Sequence, residues 1–577
     1  MAIAAPADRD RDLRSTQEAR TLARRAKDAA PALAALTQDQ IDRIVDACAA
    51  AATAQAEVFA RMAVEETGYG NVADKIQKNL FASETVYTFI RPMKTVGVIA
   101  RHDDRKVIEI AEPFGVVAAI VPSTNPTSTA IYKILIALKA RCPIVISPHP
   151  SAARCITRVA EVMCEAACRA GAPEGAITWM TTVSLEGTQE LMKAREVAVI
   201  LATGGMGLVR AAYSSGKPAY GVGPGNAPCF IERTANVAKA VDDIVLGKTF
   251  DHGVLCSSPN SVVLDEPIAE EAKREFVSRG GYFLSPDETD RLAKTLVTPQ
   301  RLPNPQMVGK PAMTVAELAG IKAPDGTRVL IAELKGVGRD YPLSIEKLCP
   351  VLSSYVVRDW QEGCERSMQI LRYGGMGHTM SIHSENEKVI LEFGLKKPAF
   401  RISVNTPSTF GSIGLTTGLD PSMTLGCGGW GGNITSDNIS PKHLLNIKRL
   451  AWGIRDARPS AAAPAAGSTR AAAALPKVAA KPEPRGIGAA ELSSRIDAFL
   501  AGRGITPASG PAEARSSDPQ ITKSPNPDPA DFVSEADVKE AIAQKRKIVI
   551  GEKTIVTPAA RDLADAHKVF VQARWRS

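Results

Sequence analysis

The run Gly115-Val-Val-Ala-Ala-Ile-Val-Pro122 constrains this chain most. Continuous and apolar, with no polar alternation, it suits a strand buried on both faces of a parallel sheet. Behind it Ser128–Ala140 reads as a helix and Cys142-Pro-Ile-Val-Ile-Ser147 as a second strand. Strand, helix, strand requires a crossover, so the fold class is α/β. An amphipathic helix over 152–170 follows, closed by Gly171-Ala172-Pro173. Glu196–Thr203 is then a further strand, leading into Gly204-Gly205-Met206-Gly207 and a helix through Ala212. A strand, a glycine turn and a helix can bring backbone N–H groups and a helix N-terminus close to a dinucleotide phosphate.

Residues 15–66 place apolar Ile41, Ile44, Val45 and Cys48 at helical spacing, and the segments from Thr95 and Lys106 read as strands. The chain has 577 residues, enough for two or three folding units. Its net charge of +8 is modest for that length and gives no ground for nucleic-acid binding. No apolar run is long enough for a membrane span, and Asp8, Arg9, Asp10 and Arg11 stand where a secretory leader would be apolar, so a cytoplasmic protein is expected. The ten cysteines are scattered without CxxC spacing, and Cys164 and Cys168 lack histidine partners. They read as reduced core thiols, with no disulfide and no metal site.

One cysteine is set apart by its neighbours. Cys256 lies in Lys248–Asn260, preceded by Asp251-His252-Gly253 and followed by Ser257 and Ser258, a turn whose small residues leave the sulfur reachable. A nucleophile needs that access, whereas a structural cysteine is buried and inert. Asn125 falls just past the end of the first apolar strand, where functional groups of open α/β sheets gather. Read alone it is either a turn former or a hydrogen-bond donor.

Asn125 within Val121–Ala130, the glycines within Leu201–Gly207, Cys256, and Glu346-Lys347-Leu348-Cys349-Pro350 occur in an order that resembles the aldehyde dehydrogenase superfamily. The nearest likeness is to its CoA-acylating branch, including the aldehyde half of bifunctional alcohol/aldehyde dehydrogenases, over about residues 15–453. The resemblance implies a Rossmann-like cofactor domain mainly over 1–235, an α/β catalytic thiol domain over 236–430, and a 431–454 segment returning to the core beside a β oligomerisation arm. It implies Cys256 as nucleophile, with the Asn125 amide and the Cys256 N–H as donors to the developing oxyanion. Pro122, Ser147, Thr203, Gly204, Gly205, Gly207 and Glu346 are implied as cofactor-binding, Glu346 at the nicotinamide ribose. His378, in the glycine-flanked stretch Leu371–Thr379, resembles a histidine that moves a proton from CoA or the catalytic thiol; a satisfied core histidine is the plainer reading. Leu425–Arg449 is a further signature of the branch; its Cys427 is a rival nucleophile, although it matches a structural cysteine of the glycine-rich loop.

Hydrolytic relatives carry a glutamate, the base that activates water, where this chain has Gly221 in Tyr220–Pro228. A thiol acceptor needs that base less, because it loses its proton far more readily than water. The expected reaction is therefore oxidation of a short-chain aldehyde by NAD, with coenzyme A collecting the acyl group from Cys256. Sulfoacetaldehyde is an alternative substrate, and a catalytically inactive scaffold or shell-binding protein is an alternative of another class. Ser147-Pro148-His149-Pro150 replaces the Lys-Pro-x-Glu of many members, which leaves NADP open beside NAD. The resemblance also implies a homodimer or homotetramer.

Beyond Ile454 the composition turns to alanine, proline and charge, as in a largely disordered C-terminal extension with short helices. Linkers are expected over 455–486 and 503–531. Between them, 487–502 places Leu492, Ile496, Phe499 and Leu500 on one helical face. It resembles the encapsulation peptides that bind shell proteins of bacterial microcompartments. Residues 532–577 look like a small module of microcompartment-associated proteins. Such a protein would reside in the cytoplasm, inside a microcompartment.

Overall fold

The apolar runs become the centre of a parallel sheet in a computed structural model that describes residues 6–455, 494, 530–544 and 546–572. Two units divide between Pro459 and Ser460. In the first, β1 (Gly97–His102) and β2 (Val107–Pro113) form an antiparallel hairpin. Next come β3 (Val116–Val121), β4 (Ile144–Pro148), β5 (Ile177–Trp179), β6 (Val197–Thr203) and β7 (Ala219–Val222). They make a parallel sheet in the order β5-β4-β3-β6-β7. All of β3 is buried, as its lack of alternation requires.

Strand order reverses between β3 and β6, and the crevice past their carboxyl ends is where an open α/β sheet takes ligands. The helix Pro126–Lys139, buried along its whole length, ties this edge together. Its Lys133 Nζ donates to Ile120 O at 2.7 Å and Leu201 O at 2.8 Å, while burial holds its pKa well below the ordinary value.

The second sheet comprises β8 (Ala227–Ile231), β9 (Pro259–Asp265), β10 (Gly281–Phe283), β11 (Val329–Glu333), β12 (Val351–Val357), β13 (Gly377–His383) and β14 (Ala399–Val404). It runs β10-β11-β12-β9-β8-β13-β14 with parallel pairing throughout. The last strand, β15 (Leu445–Ala451), returns to pair antiparallel with β2, completing a three-stranded arm. Leu450, Trp452 and Ile454 at its end are exposed.

The N-terminal helices begin and end where their caps dictate. Thr37 and Gln40 make a capping box for Gln38–Ala54, and Gly68, at φ 67°, closes Ala56–Thr67 in the left-handed conformation. The next helix, Val72–Leu80, is unusual in burying Lys75, Lys78 and Asn79. Those lysines reach the functional site.

The second unit holds β16 (Ala530–Val533), a helix Glu535–Ala543, β17 (Ile548–Val556), a helix Pro558–His567 and β18 (Phe570–Gln572). Its strands pair in parallel around Val538, Ala541, Ala560 and Ala564. Apart from Arg455, Ser494, Ala530 and Asp531, the expected linkers 455–486 and 503–531 and the expected targeting helix 487–502 lie outside the described residues. Among the described residues no helix is long and apolar enough to cross a membrane.

Candidate active site

A cavity of about 430 Å³ opens past the ends of β3 and β6, and Pro122, Asn125, Ser147, Thr203, Gly204, Gly205, Cys256 and Glu346 all line it. Segments more than 200 positions apart thus converge on one space. Gly207 does not line it, because it already lies in the helix Met206–Tyr213 with open space around its α-carbon. His378 does not line it either.

Cys256 is partly exposed, whereas seven of the ten cysteines are buried. The approach of the Gly221–Gly225 segment is close enough that a Cβ on Gly225 would lie 2.1 Å from Cys256 O, so only glycine fits there. Asn260 ties the thiol turn to its surroundings: its Oδ1 accepts the Lys347 N–H at 3.0 Å, and its Nδ2 donates to Ser258 O at 3.1 Å. Burial pushes the Cys256 thiol up to about 12. Nearby Glu346 and Cys427 act in the same direction, and Arg401 opposes them. The sulfur is reachable but rests as the thiol.

Asn125 occupies the N-cap of the helix Pro126–Lys139, yet its side chain makes no capping bond. Its Oδ1 instead accepts a hydrogen bond from Lys78 Nζ at 2.8 Å, and its Nδ2 donates to Thr124 Oγ1 at 3.2 Å. A turn former would spend its side chain on its own backbone. This one is directed elsewhere.

Glu346 is no solvated charge. Its Oε1 accepts the Gly225 N–H at 2.8 Å, and burial raises its carboxyl to about 8 against the pull of that N–H, Lys248 and Lys347. Among the described residues no other carboxylate lines the cavity. At Gly221 the space for a side chain is already filled: an added Cβ would meet Val209 Cγ1 at 2.7 Å and Tyr213 Oη at 2.8 Å.

His378 packs behind Gly225, whose Cβ, if present, would lie 3.1 Å from His378 Nδ1. That nitrogen is 3.0 Å from Thr379 Oγ1, and Nε2 has no partner. Burial, then the Arg401 guanidinium, lowers the imidazole to about 3, so it is neutral. Arg401 is spent on backbone, donating to His378 O at 2.9 Å and Gly377 O at 3.1 Å.

The glycine turn suits a dinucleotide. Gly205 caps the helix Met206–Tyr213 with nothing within 4 Å of where its Cβ would stand, and the Thr203 hydroxyl is buried without a partner. The helix N-terminus, the vacant space and the unmet hydroxyl are features a pyrophosphate can use. At the far wall Ser147 Oγ lies 2.9 Å from Thr188 Oγ1, and His149 Nδ1 accepts the Ser151 N–H at 3.1 Å. Neither is a carboxylate that would reject a 2′-phosphate.

Sequence reading missed Lys75, Lys78, Asp251, Tyr213 and Arg401 as members of this site. Tyr213 carried no signal. The lysines carried one: Lys75 and Lys78 stand one helical turn apart on the face that also bears Asn79, a polar stripe on a helix with no reason to bury it.

The aldehyde dehydrogenase family model matches residues 12–285. An acetylating aldehyde dehydrogenase from Geobacillus thermoglucosidasius, of known structure, is 52% identical; the match covers 77% of this chain and 98% of that one, with a TM-score of 0.76. A propionaldehyde dehydrogenase from the Clostridium phytofermentans fucose utilisation bacterial microcompartment is 29% identical with a TM-score of 0.68, covering 74% of this chain and 96% of that one. Among curated proteins, the bifunctional aldehyde-alcohol dehydrogenase of Escherichia coli is 43% identical over 439 residues, which are 75% of this chain and 49% of that protein. The chain thus spans about half the length of such bifunctional relatives.

Proposed function

Because the chain belongs to the aldehyde dehydrogenase family, we propose that it is a CoA-acylating member, an enzyme that converts a short-chain aldehyde, CoA and NAD to acyl-CoA and NADH. The observation that carries this reading is the pairing of a reachable Cys256 with a filled Gly221 site. Among the described residues the one carboxylate lining the cavity with the sulfur is Glu346, which is held by the Gly225 N–H, and Gly221 offers none to activate water.

Cys256 gives up its thiol proton to solvent as Sγ bonds to the aldehyde carbon, and the carbonyl oxygen, becoming negative, takes hydrogen bonds from Asn125 Nδ2 and the Cys256 N–H. The nicotinamide, when bound, supplies the hydride acceptor. Gly204, Gly205 and Thr203 would hold its phosphates and Glu346 a ribose hydroxyl. An acyl-Cys256 thioester remains, and the CoA sulfur displaces Cys256 in an exchange between two thioesters. His378, whose Nε2 has no partner, is read as the group that assists proton transfer from CoA or Cys256, a role supported by its place behind Gly225 and opposed by the burial that lowers its basicity.

Acetaldehyde and propionaldehyde are the favoured substrates. Among the described residues no lysine or arginine lines the cavity, which favours an uncharged aldehyde over sulfoacetaldehyde. NAD is the favoured cofactor, with NADP as the alternative. The exposed Leu450, Trp452 and Ile454 beside β15 support assembly through the three-stranded arm into a homodimer or homotetramer. Cargo status in a microcompartment, through 487–502 and a shell protein, is supported by that segment's sequence and by the likeness to the microcompartment enzyme.

NADH release measured with and without CoA tests the reaction. Turnover that needs CoA supports it, and undiminished conversion to free acid without CoA overturns it. A Cys256→Ala variant that keeps full activity would refute the assignment of the nucleophile. A wild type inactive with every aldehyde leaves the scaffold reading instead.

A further inference from the structure

Asn125 is held from behind by a buried ion cluster that the chemistry above does not use. Lys78 is 3% exposed, and besides Asn125 Oδ1 its ammonium contacts Asp251 Oδ2. Lys75, 1% exposed, donates to Asp251 Oδ2 at 3.0 Å and Thr124 O at 3.5 Å. Asp251, fully buried, accepts the Asn71 N–H on Oδ1 at 2.9 Å, and its own N–H donates to Asp74 Oδ2 at 2.6 Å. Its backbone is left-handed at φ 48°, and Gly70 is needed beside it because a Cβ there would lie 1.8 Å from Asp251 Oδ1. One helix and the turn that presents Cys256 therefore lock together behind the asparagine.

The consequence for Asn125 follows from donor and acceptor inventory. A carboxamide has one face that accepts and one that donates, and either can be rotated toward a neighbour. An ammonium has three donors and no acceptor, so the face toward Lys78 must be the oxygen. Nδ2 is then turned to the opposite side, where one of its two hydrogens goes to Thr124 Oγ1 at 3.2 Å and the second is left for the reacting oxygen. We infer that Lys78, anchored by Asp251, is the positioning residue of the oxyanion site: it fixes the flip of the Asn125 amide so that N–H, and not C=O, meets the reacting oxygen. Without the lysine the amide can rotate, and its oxygen would repel the charge it should stabilise. Two buried ammonium groups on one carboxylate are a costly arrangement for stability alone, and orientation gives them a purpose. Burial lowers Lys78 to about 8 while Asp251 opposes the shift, so the clamp keeps its charge at neutral pH.

This inference rests on the proposed thiol chemistry, and a double-mutant cycle tests it on the full-length enzyme. Lys78→Met should lower kcat/KM for the aldehyde about 100-fold by itself, and less than about 3-fold when added to Asn125→Ala, because it acts through a group already gone. Losses that multiply in the double variant overturn the inference, as does a Lys78→Met enzyme within about 3-fold of wild type. Lys78→Gln runs the same cycle if the methionine variant does not fold. A wild type that releases no NADH with any aldehyde refutes the underlying reading and takes this inference with it. An active wild type with an unimpaired Lys78→Met variant refutes the inference alone.

Discussion

Tyr213 closes over Gly221: its hydroxyl donates to the Gly221 carbonyl and accepts the Gly221 N–H, each at 3.2 Å. The phenol thus fills the space a side chain at this position would need, so packing as well as the residue written there keeps a carboxylate away from Gly221.

Gly221→Glu should therefore not create a hydrolase. The new side chain would overlap Val209 and Tyr213, an overpacking that costs about 1–3 kcal/mol, so a lower Tm with no rise in CoA-independent acid formation is expected. A variant that releases free acid at a rate matching the CoA-dependent reaction would contradict the packing argument.

The Cys256 thiol, pushed up to about 12, should alkylate slowly at neutral pH in the absence of cofactor. Only the thiolate reacts, so the iodoacetamide rate at the Cys256 peptide, followed by mass spectrometry, is expected to climb without a plateau up to about pH 10. A plateau near pH 7 would mean an activated resting thiolate.

His378→Gln should separate the two halves of the reaction. The first-turnover burst of NADH is expected to stay within about 3-fold of wild type, while the CoA-dependent steady state falls about 100-fold or more, the low end for a proton-transfer group. Because burial keeps the imidazole at about 3, no acid limb near pH 6.5 should belong to it. A slowed burst would move His378 out of the acyl-transfer step.

Glu346 links stability to pH. Its carboxyl is raised from 4.5 to about 8, so the folded chain keeps a proton there that the unfolded chain has lost. Folding then takes up a proton between those values, and the contribution of this group falls as pH rises from 4.5 to about 8. Against Glu346→Gln, which stays neutral, the wild type should match in Tm near pH 5 and fall behind by pH 8. A gap that is constant across this range would refute the raised carboxyl.

The sequence alone determined the parallel sheet, since an uncharged run such as Val116–Val121 can be buried on both faces and a helical segment such as 128–140 can only cross back over it. Local turn signals mark Asn125, Cys256 and Gly204-Gly205 one by one, but that they and Glu346 belong to one site was legible only through the resemblance of their order to a known family; in the structure they line one cavity. Tertiary structure decided the rest. Lys78 meets Asp251 across 173 positions, and no pattern near either residue announces the partner. Whether Cys256, Glu346 and His378 carry charge depends on how much water packing removes and which charges it leaves nearby, and those quantities exist only once the chain has closed around them.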